Sequence, residues 1–153
     1  MKNFVKRAQG FTLIEILVVV GIIAILAAIV LVAINPAKRF QDARNSQRQA
    51  NVEAILSAVQ QNMVDNKGIF TCTALPVAST TMKSSGGYDI APCLASYLAV
   101  LPVDPSASGA HWTSNIDYDT GYTIVVWPTK QVTVGAPQST SDPAGATLIS
   151  VTR

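Results

Sequence analysis

Gly10-Phe11-Thr12-Leu13-Ile14-Glu15 opens the stretch that decides how this chain is built, and a nearly unbroken apolar run follows it to Ile34. Between Phe11 and Ile34 the only departures from apolar side chains are Thr12, Glu15 and Gly21. As a helix rising about 1.5 Å per residue, the run is about 36 Å long, enough to cross a hydrocarbon layer of roughly 30 Å. Glu15 lies inside it. An acidic side chain at the centre of a spanning helix costs about 3 kcal/mol. A carboxylate kept in such a run, beside a glycine boundary and a short basic leader, points to a partner that neutralises it.

A secretory signal peptide also has a basic start, but its apolar region is usually only about 7–15 residues. Here the run is longer, and Leu31-Val32-Ala33 matches a small-residue cleavage motif poorly. The reading is therefore a retained anchor. Its orientation is not set by charge, because Lys2, Lys6 and Arg7 before the run are nearly balanced by Lys38, Arg39, Arg44 and Arg48 after it.

The formal charge of +2 comes from 11 basic and 9 acidic residues. Three of the basic residues precede Gly10, so a cut there leaves 8 against 9 and a charge of −1. Nothing in that mature chain calls for nucleic acid as a partner. Cys72 and Cys93 are the sole cysteines. In a Ser/Thr-rich exported domain they most simply form one disulfide, with two unrelated thiols as the alternative.

The chain divides by pattern into a leader (1–10), a spanning helix (11–34), an amphipathic continuation (35–67) and a C-terminal β domain (68–153). Gly21, Ala24 and Ala28 share a face of the first helix, a spacing that lets helix backbones approach closely. Asn35-Pro36 interrupts it: Pro36 lacks an amide donor and disfavours helical geometry in the residue before it, while Asn-Pro also reads as a cap and first position of a new helix. The resumed helix runs from about Pro36 to Lys67. Val52, Ile55, Leu56, Val59 and Met63 form its apolar stripe, and Gly68 closes it. Beyond lie strand candidates at 122–127, 130–134 and 146–152, with turn chemistry at Asp119-Thr120-Gly121, Gly135-Ala136-Pro137 and Asp142-Pro143. Tyr97 to Leu101 reads as a short helix or a strand. The residues between the cysteines read as loop, and so does Ser108 to Trp112. The fold class is α+β, a long N-terminal helix kinked near Pro36 and packed on a small antiparallel sheet.

Catalytic patterns are missing from the sequence. There is no GxSxG elbow, P-loop or GxGxxG, His111 is the single histidine, and Glu15 and Glu53 are the only glutamates. No enzyme is expected. Asn115, Asp117 and Asp119 alternate ahead of Gly121, and oxygen ligands at every second position suit a Ca²⁺ ion. The glycine comes one residue later than in an EF-hand loop and the twelfth position is not acidic, so a solvated hairpin tip explains the same residues. No other cofactor is indicated.

Lys6 to Ile34, about a fifth of the chain, closely resembles the N-terminus of type IV pilins and pseudopilins. The resemblance implies that a dedicated membrane peptidase cuts after Gly10 and methylates the new terminal amine of Phe11. It implies that Glu15 guides addition of the subunit to a filament, its carboxylate pairing with that amine. The remainder resembles the family in architecture, and Leu101-Pro102-Val103-Asp104-Pro105 looks like loops of pilin-like proteins. Many pilins carry a helix-bending proline at the position of Val32, whereas this chain has Pro36. The late disulfide loop of many major pilins is not reproduced, since Cys72 and Cys93 lie earlier. Some pseudopilins bind calcium in C-terminal loops, which bears on Asn115, Asp117 and Asp119.

The function these residues imply is structural: a single-span precursor, N-terminus inside, in the cytoplasmic (inner) membrane, then an extracellular or periplasmic filament. Its partners would be the prepilin peptidase, an inner-membrane assembly platform, lipid before assembly, and other copies of itself or related pilins. A type II secretion pseudopilin, or a tethered minor pilin for adhesion or DNA uptake, is the alternative.

Overall fold

The computed structural model describes residues 10–140 and 148–153. The leader cations Lys2, Lys6 and Arg7, the Asp142-Pro143 turn and the expected strand start at Ala146 lie outside the described residues. The chain divides into two compact units, one ending at Arg39 and the other spanning Phe40–Arg153.

In the first unit, α1 (Leu13–Ile34) leaves its large apolar side chains in the open, with Leu13 and Val32 each 84% exposed. Leu13–Ala33 is long and apolar enough to cross a membrane. The helix stops at Asn35, whose backbone is left-handed (φ 43°, ψ 77°). Asparagine enters that region more readily than most residues because its short polar side chain bonds locally. Here the Asn35 Oδ1 accepts from the Lys38 N–H at 3.4 Å, and its carbonyl accepts from the same group at 3.1 Å. Pro36 then begins α2 (Pro36–Asp65) where no intrahelical donor is needed. The interruption expected near Pro36 is thus one left-handed residue joining two helices.

In the second unit, α2 buries Val52, Ile55, Leu56 and Val59, with Met63 partly covered at the edge of the same core. Gly68 (φ 85°) ends the helical segment by donating its N–H to the Met63 carbonyl at 2.7 Å, the closing role of a glycine just past a helix. Against the stripe lies an antiparallel sheet formed by β1 (Thr80–Lys83), β2 (His111–Ser114), β3 (Asp117–Val126), β4 (Val132–Ala136) and β5 (Ile149–Thr152), in the order β1-β3-β4-β5 with β2 also on β3. Asp119 pairs with Lys83 of β1 and His111 of β2, so the long β3 has β1 along one side and β2 then β4 along the other. Its alternate residues Tyr118, Thr120, Tyr122 and Ile124 are buried. A short helix, α3 (Ala91–Leu94), buries Ala91 and Leu94 in the same core.

Several local expectations are corrected by this pairing. Asp119-Thr120-Gly121 is not a turn but an irregularity within β3: the register moves from Thr81↔Thr123 to Lys83↔Asp119, giving β3 two extra residues. Gly121 supplies the positive φ of 72° there. An excess of two keeps the same side chains facing inward, where an excess of one would have turned them over. Thr80 and Thr81, expected in a loop, form β1, and His111-Trp112 likewise enter β2. Both are short segments whose ladder bonds come from β3, a partner outside any local window. Tyr97 to Leu101 forms neither helix nor strand but a turn and irregular chain.

The core is pinned by polar anchors. Tyr118 donates to Asp89 Oδ1 at 2.7 Å and accepts from the Ile90 and Ala91 amides at 2.8 and 3.2 Å. Its burial pushes the phenol up to about 12. Asn62, buried on α2, donates to the Cys93 carbonyl at 3.0 Å and accepts from the Thr71 amide at 3.1 Å. It therefore ties both arms of the Cys72–Cys93 disulfide, whose Cα atoms are 5.8 Å apart, to the helix.

Candidate processing and assembly site

The site begins where α1 begins. Thr12 is extended (φ −80°, ψ 152°) and caps the helix: its Oγ1 accepts from the Glu15 amide at 3.3 Å. The Glu15 carboxylate reaches back and accepts from the Thr12 amide at 3.4 Å. This reciprocal pair is a capping box, which satisfies two donors left without partners at a helix start. The spacing Thr12-x-x-Glu15 is its signature in the sequence, and it is the feature that reading Glu15 purely as a membrane charge misses.

The geometry fixes where the carboxylate points. Instead of projecting sideways into an apolar environment, it lies over the first turn, next to the residue that follows Phe11. A negative group there is also favoured by the positive end of the helix dipole. Phe11 is 79% exposed, and Gly10 has open space around the position a Cβ would take. The Gly10–Phe11 linkage thus sits on unencumbered chain before the capped helix. Farther along, a Cβ on Gly21 would meet nothing within 4 Å. Packing within the chain does not require that glycine, though glycine inside a helix costs about 1 kcal/mol relative to alanine.

The other candidate residues lie apart from this site. Asn115 occupies the two-residue turn between β2 and β3. Asp117 Oδ1 lies 3.2 Å from His111 Nε2, and Asp119 Oδ1 accepts from the Gly121 amide at 2.9 Å. Both carboxylates thus have protein partners. Among the described residues, no group of three acidic, histidine or cysteine side chains could hold a metal ion. Cys72 and Cys93 are joined to each other, the simpler of the two readings.

Sequence reasoning placed Arg48 on a polar helix start, but its side chain is fully buried in the second unit. Its Nε donates to Asp104 Oδ2 at 2.9 Å, its Nη2 to Asp104 Oδ1 at 3.2 Å, and its Nη1 to Asn45 at 2.7 Å. Asp104 Oδ1 also accepts from the Ser106 and Ala107 amides. The 101–105 loop is thereby fastened to α2.

Residues 5–31 match the family model described as the prokaryotic N-terminal methylation motif. The chain is 44% identical over 70 residues to the Type IV narrow pilus major component PilA5 of Thermus thermophilus. That match takes in 43% of this chain and 55% of the relative, so the chain spans about half the length of the curated relative it matches. No solved structure matches it. At its N-terminal end the chain carries the prokaryotic N-terminal methylation motif, and over part of its length it is similar to a type IV pilus subunit.

Proposed function

We propose that the chain is a filament-forming subunit of a type IV pilus or related assembly, cut after Gly10 and polymerised through residues 11–34. The observation that carries this is the Glu15 carboxylate folded back over the Thr12 amide at 3.4 Å. Cleavage would create a positive amine on Phe11, one residue from that amide. In surroundings of low dielectric, such a pair attracts far more strongly than in water. Within one subunit the carboxylate already has the capping bond; the amine of a neighbouring subunit offers it a full opposite charge and sets the axial register. The exposed apolar surface of α1 would exchange lipid for neighbouring helices, and Gly21 would let their backbones approach.

The work of this protein is therefore assembly, not catalysis. Before assembly the precursor spans the inner membrane with its leader inside, and residues 68–153 coat the filament outside. Its partners are the prepilin peptidase that cuts and methylates, the assembly platform and other pilins. The likeness to a pilus major component supports the pilus over the secretion pseudopilus.

Glu15→Ala tests the register role: filaments should be lost while carbonate-resistant membrane insertion persists, and normal filaments would refute it. Mass spectrometry of the mature subunit should find methylated Phe11 at its start. An intact leader in a host that has the peptidase would refute the processing step.

A further inference from the structure

The first turn of α2 contains Lys38 and Arg39 and no acidic residue. Both side chains are exposed, and among the described residues neither makes a hydrogen bond or ion pair. Two adjacent cations at the positive end of a 30-residue helix are electrostatically unfavourable unless an anion lies near them. Their place relative to the span indicates which anion. Lys38 follows Ala33, the last residue of the span, by five positions, about 7.5 Å at the rise of a helix. The polar headgroup layer on each side of a bilayer is about 5–8 Å thick. With Leu13–Ala33 in hydrocarbon, Lys38 and Arg39 fall at the depth of the lipid phosphates, and their flexible stems allow the charges to adjust within that layer.

We propose that Lys38 and Arg39 form a binding site for anionic phospholipid headgroups, holding the unassembled subunit at a fixed depth. This rests on the reading of Leu13–Ala33 as a membrane span. A cationic pair on the far side of a span whose N-terminus is inside also works against the usual charge bias of membrane insertion. A compensating contact with lipid phosphate accounts for its presence there. On assembly, the lipid leaves together with the hydrocarbon around α1.

The test uses the full chain reconstituted in phosphatidylcholine vesicles containing a minority of phosphatidylglycerol. Association of spin-labelled phosphatidylglycerol is measured against spin-labelled phosphatidylcholine. A cation near an anionic surface contributes about fivefold, so Lys38→Gln should lower the preference by about that factor at low salt, and adding Arg39→Gln should lower it further. The charge-conserving Lys38→Arg with Arg39→Lys should retain it. An unchanged preference in the double glutamine variant overturns the proposal. So does loss of the preference in the parent chain on adding millimolar inorganic phosphate, which would make the site one for free anions. Carbonate extraction separates the two readings: an inserted chain with no lipid preference refutes the lipid site alone, whereas a chain that fails to insert refutes the span and the lipid site with it.

Discussion

Arg48 and Asp104 are 56 residues apart in sequence and meet where neither side chain reaches water, with Nε 2.9 Å from Oδ2. The guanidinium is met on its other nitrogens by Asn45 and by Ser106 Oγ at 2.5 Å, so the buried charges are also hydrogen-bonded. A pair satisfied in this way is costly to break from one side, because the survivor is left charged and dry.

Asp104→Leu should therefore destabilise the second unit by about 3–5 kcal/mol, as should Arg48→Met. Combining Arg48→Met with Asp104→Leu should cost clearly less than the sum of the single changes. Urea unfolding of the full chain in detergent, followed by the fluorescence of Trp112 and Trp127, reads the cycle. Additive losses would show that the two residues act independently.

Gly121 and Gly68 separate two reasons for a glycine. Both have positive φ, 72° and 85°. A Cβ on Gly121 would come within 2.7 Å of the Ala107 Cβ and 3.0 Å of the Asp104 Cβ, whereas a Cβ on Gly68 would meet nothing within 4 Å. Gly68→Ala should cost about 1–2 kcal/mol, the backbone penalty alone. Gly121→Ala should cost more, since the loop bearing Asp104 must also shift. Equal losses in the same unfolding measurement would refute the role of close approach.

His111 should titrate above 6.5. The Gly109 carbonyl, 2.7 Å from its Nδ1, raises the pKa first, and Asp117 beside Nε2 raises it further. The imidazolium donates from both nitrogens, whereas the neutral ring has a single N–H. Because the folded pKa is raised, the contribution to stability is fully present below about 6.5 and is lost as pH rises through the folded value. NMR titration of the ring should show the upward midpoint, and Asp117→Asn should lower it. A midpoint unmoved by that substitution would remove Asp117 from the cause.

What could be read locally follows from short-range chemistry. The apolar run from Phe11, the break at Asn35-Pro36, the stripe from Val52 to Val59 and the closing glycine at Gly68 each express a preference that neighbouring residues settle among themselves. Arg48 and Asn62 look like ordinary polar helix positions, and nothing beside them announces Asp104 or Cys93. Thr80-Thr81 and His111-Trp112 resemble loop because their strand geometry depends on the distant β3.

The sequence alone determined the helix long and apolar enough to cross a membrane, the N-terminal methylation motif and the α+β class, because hydrophobic length, helical period and a contiguous motif are all local quantities. Tertiary structure decided that Asp104 meets Arg48 in the interior, that Gly121 serves a bulge and not a turn, and that Arg48 is a buried anchor. Each of these depends on which atoms meet in space. A single carboxylate, glycine or arginine is compatible with several local roles until its partner is placed.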